Sequence, residues 1–238
     1  MSRPFLLGVL GGMGPLATVD FMHKLLRATP ATHDQQQIPH VVWNVPQIAD
    51  RQRALAGEGP SPLPQLLHGI QQLNRLGVSH IVIACNTAHH WYEALKQESD
   101  APILHIADAT LEAIEDKPKK VGLIATQGTL DAGWFQQRFA AIGTESLLPT
   151  QDEITRWFVP GCYAVKRGDL QQGGELLTLQ ARALRERGAE KLVLACTEVP
   201  VALAAISSPY LNEAIDPAEA LAQQCATLWL SRRNDRIN

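Results

Sequence analysis

The chain has 238 residues, 45% of them hydrophobic and 19% charged, a globular composition that can bury a core without disulfide or metal staples. Twenty-one Lys plus Arg against 24 Asp plus Glu leave a formal charge of −3, which gives nucleic acid or an anionic membrane no general attraction. Apolar runs such as residues 81–85 fall far short of the roughly 20 residues that a membrane helix needs, so one or two domains acting on a small molecule are expected.

In chain order, short strand-like runs alternate with stretches of longer apolar period, the pattern of parallel α/β folds. Residues 1–5 enter the first run at once, without the apolar region and small-residue cleavage site of a leader, so a cytoplasmic location is expected. Residues 5–10 read as a buried strand. The glycine turn Gly11-Gly12-Met13-Gly14-Pro15 follows and opens a helix over about residues 16–27. Residues 32–37 are polar and loop-like, residues 40–45 form a second strand, and a helix over residues 63–76 stops at Gly77, a residue that accepts the left-handed conformation of a helix end. The strand 81–84 then runs into Cys85.

The charged, proline-containing stretch 116–120 argues against a packed element and marks a boundary. Beyond it the order returns: a strand over 120–125, a turn at Thr126-Gln127-Gly128-Thr129, a helix holding Trp134 and Phe139, a helix ending at Arg187-Gly188, and a strand 192–195 running into Cys196. Gly188 stands 111 positions after Gly77, and Cys196 stands 111 after Cys85. The shared offset identifies a repeat. Asp108 and Asp216 each fall between a strand-like run and a helix and read as N-caps. The polar stretch 231–238 is expected to fray.

Parallel sheets bind ligands outside the carboxyl ends of their strands, which is where Cys85 and Cys196 fall. Each thiol is followed by hydrogen-bonding residues, Asn86-Thr87 and Thr197-Glu198. Amides and a helix dipole there would lower a thiol pKa from its free value of about 8.5. Two opposed thiols suit one reaction type: one thiolate removes a proton from a stereocentre while the other thiol protonates the opposite face, with no metal or redox cofactor required. Asn86, Thr87, Thr197 and the turn amides would meet the carbanion's charge. A lone strand-end cysteine is more often an inert core residue; the repeat reverses that preference. Cys225 reads as helix core, and Cys162, near the Pro160-Gly161 turn, has no strand-cysteine context.

The amides of the 11–15 turn could bind a carboxylate or serve only tight packing. Residues 12–17 match a relaxed dinucleotide fingerprint, but the strand 40–45 ends without the acidic ribose ligand, which rejects NAD. Isolated basic residues such as Arg51 and Lys166, the latter read as loop before Gly168, are usually solvated surface. His89, His90 and His105 lie in no metal-binding spacing, nor do the four cysteines, so structural histidines and reduced thiols are expected and no metal is assigned.

Gly11-Gly12-Met13-Gly14-Pro15, Ala84-Cys85-Asn86-Thr87-Ala88-His89 and Ala195-Cys196-Thr197-Glu198 together resemble the aspartate/glutamate racemase family. The GGMGP turn, residues 46–51, residues 125–129 and Lys166 before Gly168 resemble its aspartate racemase branch. The resemblance implies an α/β fold of two pseudo-symmetric lobes, each a parallel sheet flanked by helices, with the active site in the cleft between them. The first lobe would span 1–112, with residues 213–238 packing back on it, and the second 117–212. The resemblance also implies catalysis without pyridoxal phosphate or any other cofactor, and a homodimer. Cys85 and Cys196 would be the acid/base pair. Asn86, Thr87 and Thr197 would hold the α-carboxylate or amino group, Arg51 and Lys166 the side-chain carboxylate, and Met13, Thr126, Gly128, Thr129 and Glu198 would complete the substrate site. The implied substrate is a small dicarboxylic amino acid, aspartate or glutamate, which a pocket separates by only about 1 to 3 kcal/mol. The rivals are other chemistry on the same architecture (maleate isomerisation above hydantoin racemisation or arylmalonate decarboxylation) and a non-catalytic binder of acidic amino acids.

Overall fold

The computed structural model describes residues 4–234; the readings of residues 1–3 and 235–238 lie outside the described residues. The chain divides into two compact units, one comprising the residues up to Ala109 together with those from Ala218 onward, the other Thr110–Pro217.

In the first unit the order is β1 (Leu7–Gly11), α1 (Pro15–Ala28), β2 (His40–Asn44), α2 (Arg51–Leu55), α3 (Leu63–Arg75), β3 (His80–Ile83), a 3-10 turn over Thr87–Trp91, α4 (Tyr92–Gln97) and the start of α5 (Ile106–Glu112). The strands pair in parallel in the order β2-β1-β3. β1 is buried along its whole length, as a central parallel strand must be when both faces of its sheet are covered. Strand alternation then divides the core. Leu7, Val9, Val82 and Ala84 pack with Phe21 and Leu25 of α1; Leu10, Ile81, Ile83 and Cys85 pack with Leu66, Ile70 and Leu73 of α3.

The second unit runs β4 (Lys120–Leu123), α6 (Gln127–Ala132), α7 (Trp134–Ala141), β5 (Glu145–Leu147), α8 (Gln151–Glu153), a π-helical turn over Ile154–Phe158, α9 (Val159–Lys166), α10 (Leu170–Glu186), β6 (Lys191–Val193), α11 (Glu198–Ala205) and β7 (Ala214–Ile215). Its strands are also parallel, ordered β5-β4-β6-β7. In both sheets the first strand lies between the second and third, so the repeat seen in the sequence is a repeat of topology. Gly77 and Gly188 occupy equivalent places after α3 and α10, with φ of +67° and +95°, a region where a side chain is strained.

The last helix, α12 (Pro217–Asn234), lays Ala218, Leu221, Ala222, Cys225 and Ala226 on the Val9 face of the first unit. Residues 231–234 continue this helix, so the stretch expected to fray is ordered that far. Trp229 Nε1 donates to the Gln36 carbonyl at 2.8 Å, and Arg27 pairs with Glu219 at 2.7 Å, tying the helix to its unit. Asp108 is not an N-cap: α5 begins at Ile106, which puts Asp108 inside its first turn, where a carboxylate still favours the helix N-terminus.

Cys225 is fully buried, and burial pushes its thiol up from 9.0 to about 12. The folded state therefore keeps the proton that the unfolded chain releases. This contribution is complete below pH 9.0 and is lost as pH rises toward 12. Each pH unit above 9.0 should remove about 1.4 kcal/mol that Cys225→Ala does not lose. Urea unfolding of both proteins on either side of that pH gives the difference in slope, and parallel slopes would contradict it.

Candidate functional site

Parallel strands end on one edge, so in the first unit the segments after β1, β2 and β3 come together. The first is the glycine turn. A Cβ on Gly12 would stand 2.4 Å from the Val45 carbonyl carbon, so this glycine is needed for close packing on the segment that follows β2. Its amide donates to Thr18 Oγ1 at 2.9 Å, and that hydroxyl donates to the Gly14 carbonyl at 3.0 Å. The Gly12 amide is thus committed within the turn rather than offered to an anion. Met13 is buried and belongs to the same core cluster as Ile48, Cys85 and Ala88.

The segment after β2 ends at Asp50, whose carboxylate accepts the Gln52 and Arg53 amides and caps α2. Arg51 is the first residue of that helix and is 8% exposed, not the solvated residue that an isolated loop arginine usually is. Its Nη1 donates to the carbonyls of Ile48 (3.1 Å) and Ala49 (3.0 Å), and its buried Nε has no partner among the described residues. Both acceptors are neutral, and a buried cation is stable only where an anion can meet it. Helix α2 packs against the 3-10 turn that follows Cys85.

Cys85 is buried at the end of β3. Its carbonyl is held by His89, whose Nδ1 lies 2.9 Å away, while Nε2 of the same ring accepts the Ile106 amide at 3.3 Å. The two contacts assign the proton to Nδ1. Asn86 is 2% exposed, and neither its amide nitrogen nor its amide oxygen has a partner among the described residues. Leaving such a group unmatched costs about 1 to 3 kcal/mol, and native structures rarely do so without a ligand or water to complete it. Thr87, the next residue, is also buried.

In the second unit Cys196 lies three residues beyond β6 and is 5% exposed. Its thiol donates to Glu198 Oε2 at 3.1 Å, and the Thr197 hydroxyl donates to the same oxygen at 3.3 Å. Cys162 Sγ lies 3.8 Å from Cys196 Sγ. The Cys162 contact above all, then burial and the Glu198 charge, drive the Cys196 thiol well above its ordinary range. A helix N-terminus was expected to lower it; the buried sulfur and carboxylate at its side prevail. Cys85, likewise, precedes a five-residue 3-10 turn rather than the α-helix on which the same argument relied.

After the neighbouring strand β4 the Thr126 side chain caps α6 by accepting the Thr129 amide at 3.2 Å, and the two hydroxyls bond at 3.0 Å; Gly128, between them in sequence, is half-buried. Lys166 is not in a loop. It is the last residue of α9, exposed, with its ammonium 4.8 Å from the Tyr163 ring centre. Met13, Arg51, Cys85, Asn86 and Thr87 are thus gathered in one unit, and Cys196, Thr197 and Glu198 in the other beside Cys162. Sequence reasoning passed over Cys162. Its only signal is the glycine before it and the Gly173-Gly174 pair, small residues that mark close helix contacts.

A sequence model described as Asp/Glu/Hydantoin racemase matches residues 10–225. The aspartate racemase of Picrophilus torridus superposes with a TM-score of 0.82 at 31% identity, covering 95% of this chain and 94% of that one. The broad specificity amino-acid racemase RacX of Bacillus subtilis is 24% identical over 230 residues, 95% of this chain and 99% of its own. A glutamate racemase of Cupriavidus pinatubonensis is 31% identical over 188 residues, 75% of this chain and 67% of its own.

The unmatched amide of Asn86 has a measurable consequence. An asparagine that served the fold through internal hydrogen bonds would lose about 1 to 3 kcal/mol on truncation. Asn86→Ala should lose less than about 1 kcal/mol of unfolding free energy in urea without ligand; a larger loss would show that the side chain supports the fold.

Proposed function

The chain belongs to the Asp/Glu/Hydantoin racemase family and is an isomerase, and from that premise we propose that it interconverts the enantiomers of aspartate or glutamate without pyridoxal phosphate. The observation that carries this reading is the pair of cysteines ending the equivalent strands β3 and β6 of two like parallel sheets, each beside buried polar groups.

In the proposed reaction Cys85 and Cys196 serve opposite faces of the substrate's α-carbon. One removes its proton as thiolate, the other supplies a proton as thiol, and the roles exchange with direction. The carbanion that intervenes spreads its charge into the α-carboxylate, where neutral and charged donors stabilise it. The Asn86 amide, with both polar atoms buried and unmatched, suits the α-carboxylate and amino group, with Thr87 and Thr197 beside the two thiols. The buried Arg51 guanidinium suits a second carboxylate, the group that distinguishes acidic amino acids, and Lys166 is its assigned companion. Met13, Thr126, Gly128 and Thr129 complete the proposed set of substrate-site residues. Glu198 has a second task, because its carboxylate already accepts the Cys196 proton and so orients that thiol. A cytoplasmic homodimer belongs to the same reading.

RacX favours a wider substrate range as the second reading, since the similarity extends along 95% of this chain. Arg51 decides between them. Arg51→Ala should raise the KM for aspartate and glutamate by about tenfold or more, the value of a charge-assisted hydrogen bond, with alanine turnover unchanged. An unchanged KM for both acidic substrates would favour the wider range.

The reaction itself is tested in D₂O by chiral chromatography with mass analysis of L-aspartate and L-glutamate. The D-enantiomer should carry deuterium at Cα, and hydroxylamine, which consumes pyridoxal aldehydes, should not slow its formation. Cys85→Ala and Cys196→Ala should each lose about a hundredfold or more of racemisation. Wild-type turnover in either variant would overturn the two-thiol mechanism. Absence of both inversion and exchange in the wild type would leave isomerisation of maleate, or binding alone, as the reading to pursue.

A further inference from the structure

Helix α10 carries two adjacent glycines at buried positions, Gly173 and Gly174. Successive residues of a helix point about 100° apart, so the pair opens two different sides of α10 to close approach. A Cβ on Gly173 would come within 2.7 Å of Val165 Cγ2 and 3.1 Å of the Gly161 carbonyl, both on α9. One on Gly174 would come within 2.7 Å of the Ala202 carbonyl on α11 and 2.8 Å of Ile206 Cγ2 just beyond it. Gly161 reciprocates, for its Cβ would meet Leu177 Cγ at 3.0 Å. Two helices are thereby seated directly on the α10 backbone. One carries Cys162; the other begins with Glu198, immediately after Cys196-Thr197.

The result is a line of three groups in one unit: Cys162 Sγ, then Cys196 Sγ at 3.8 Å, then Glu198 Oε2 at 3.1 Å from the Cys196 sulfur. A cysteine that only filled the core would need no sulfur partner. Cys162 is wholly enclosed, and its thiol abuts the sulfur to which the proton transfer was assigned.

We propose that Cys162 is a positioning residue for Cys196: together with Glu198 it contacts the sulfur, restricts where its S–H can point and keeps Cys196 protonated as the resting proton donor. The inference rests on the acid/base reading of Cys196. The upward displacement of the Cys196 thiol, with Cys162 as its largest cause, agrees with it. Among the described residues, the titratable groups within hydrogen-bond reach of the Cys196 sulfur are Cys162 from α9 and Glu198 from α11. The buried residues of α10, among them Gly173, Gly174, Leu177 and Gln180, and Val121, Leu123, Leu192 and Val193 of the strands carry no charge. The single S–H that Cys196 directs at Glu198 has the Cys162 sulfur as its alternative acceptor, and a charge on either sulfur makes ionisation of the other harder.

The test reads the thiol, not turnover. Brief pulses of iodoacetamide on the full-length protein across neutral to alkaline pH, with the Cys196 peptide quantified by mass spectrometry, give a rate that follows the thiolate fraction. In Cys162→Ala the profile should shift to lower pH by about one unit or more. In Cys162→Ser, whose hydroxyl keeps an alternative acceptor beside the sulfur, it should shift less. The position of the profile is compared rather than its plateau, so easier access to the sulfur does not imitate the effect, and thermal melts identify the variants that fold. An unmoved profile in whichever variant folds would overturn the proposal. A chain that racemises nothing while its profile moves would lose the racemase reading and keep this one; normal racemisation with an immobile profile would do the reverse.

Discussion

The chemistry of each unit depends on the direction of its strands. A parallel sheet with a wholly buried central strand sends every strand out at the same edge, so segments far apart in sequence emerge side by side. In the first unit this gathers the glycine turn after β1, the Val45–Arg51 segment after β2 and Cys85-Asn86-Thr87 after β3. Alternation along β3 then sets which face each residue takes: Ile81, Ile83 and Cys85 share the α3 side, while Val82 and Ala84 face α1 and α12. A slip of one residue would send the thiol into the opposite core. The committed Gly12 amide and the missing room for its Cβ belong to the same arrangement, since they hold the first two of these segments together.

The units repeat one topology but surround their cysteines differently. Around Cys85 the backbone carbonyl is held by His89, while the adjacent Asn86 side chain and the Arg51 Nε have no hydrogen-bond partner among the described residues. Around Cys196 it is the sulfur itself that is held, by Cys162 and Glu198. The repeated topology places a thiol just beyond the third strand of each sheet; the segments that follow differ. The first unit has a 3-10 turn after its cysteine and a buried cation nearby, and the second has a buried carboxylate two residues on.

Much of this was legible in the sequence because it depends on local periodicity. The 111-residue offset that relates Gly77 to Gly188 and Cys85 to Cys196 reflects equal distances from helix end to strand end, which a repeated αβ element preserves. What could not be read depends on packing between elements. Arg51 looks like any surface arginine until Asp50 caps α2 and that helix lies on the turn after Cys85. Cys162 is 34 residues from Cys196, and only the fit of α9 and α11 against two glycines of α10 brings the sulfurs together. Asp108 was misplaced because α5 starts two residues early, and Lys166 because the α9 helix runs up to it. In both, the composition was read correctly and the boundary was not.

For the proposed two-thiol reaction, the upward displacement of Cys196 looks at first like a defect in a base, since a thiol held protonated is a scarce thiolate. The carbon acid changes that judgement. An amino acid's α-proton is far less acidic than any thiol, and proton transfer becomes less uphill as the base strengthens toward it. A thiolate formed against burial and beside a carboxylate is a stronger base than a solvated one, and the same surroundings keep the thiol a ready donor for the reverse face. The lower population of thiolate and its greater strength oppose each other, so the net effect on rate is smaller than either alone. What the surroundings add without such opposition is direction. A sulfur in contact with both Cys162 and Glu198 has few directions open to its S–H, and in the proposed inversion of a single carbon, misalignment by an ångström loses more than a unit of pKa gains.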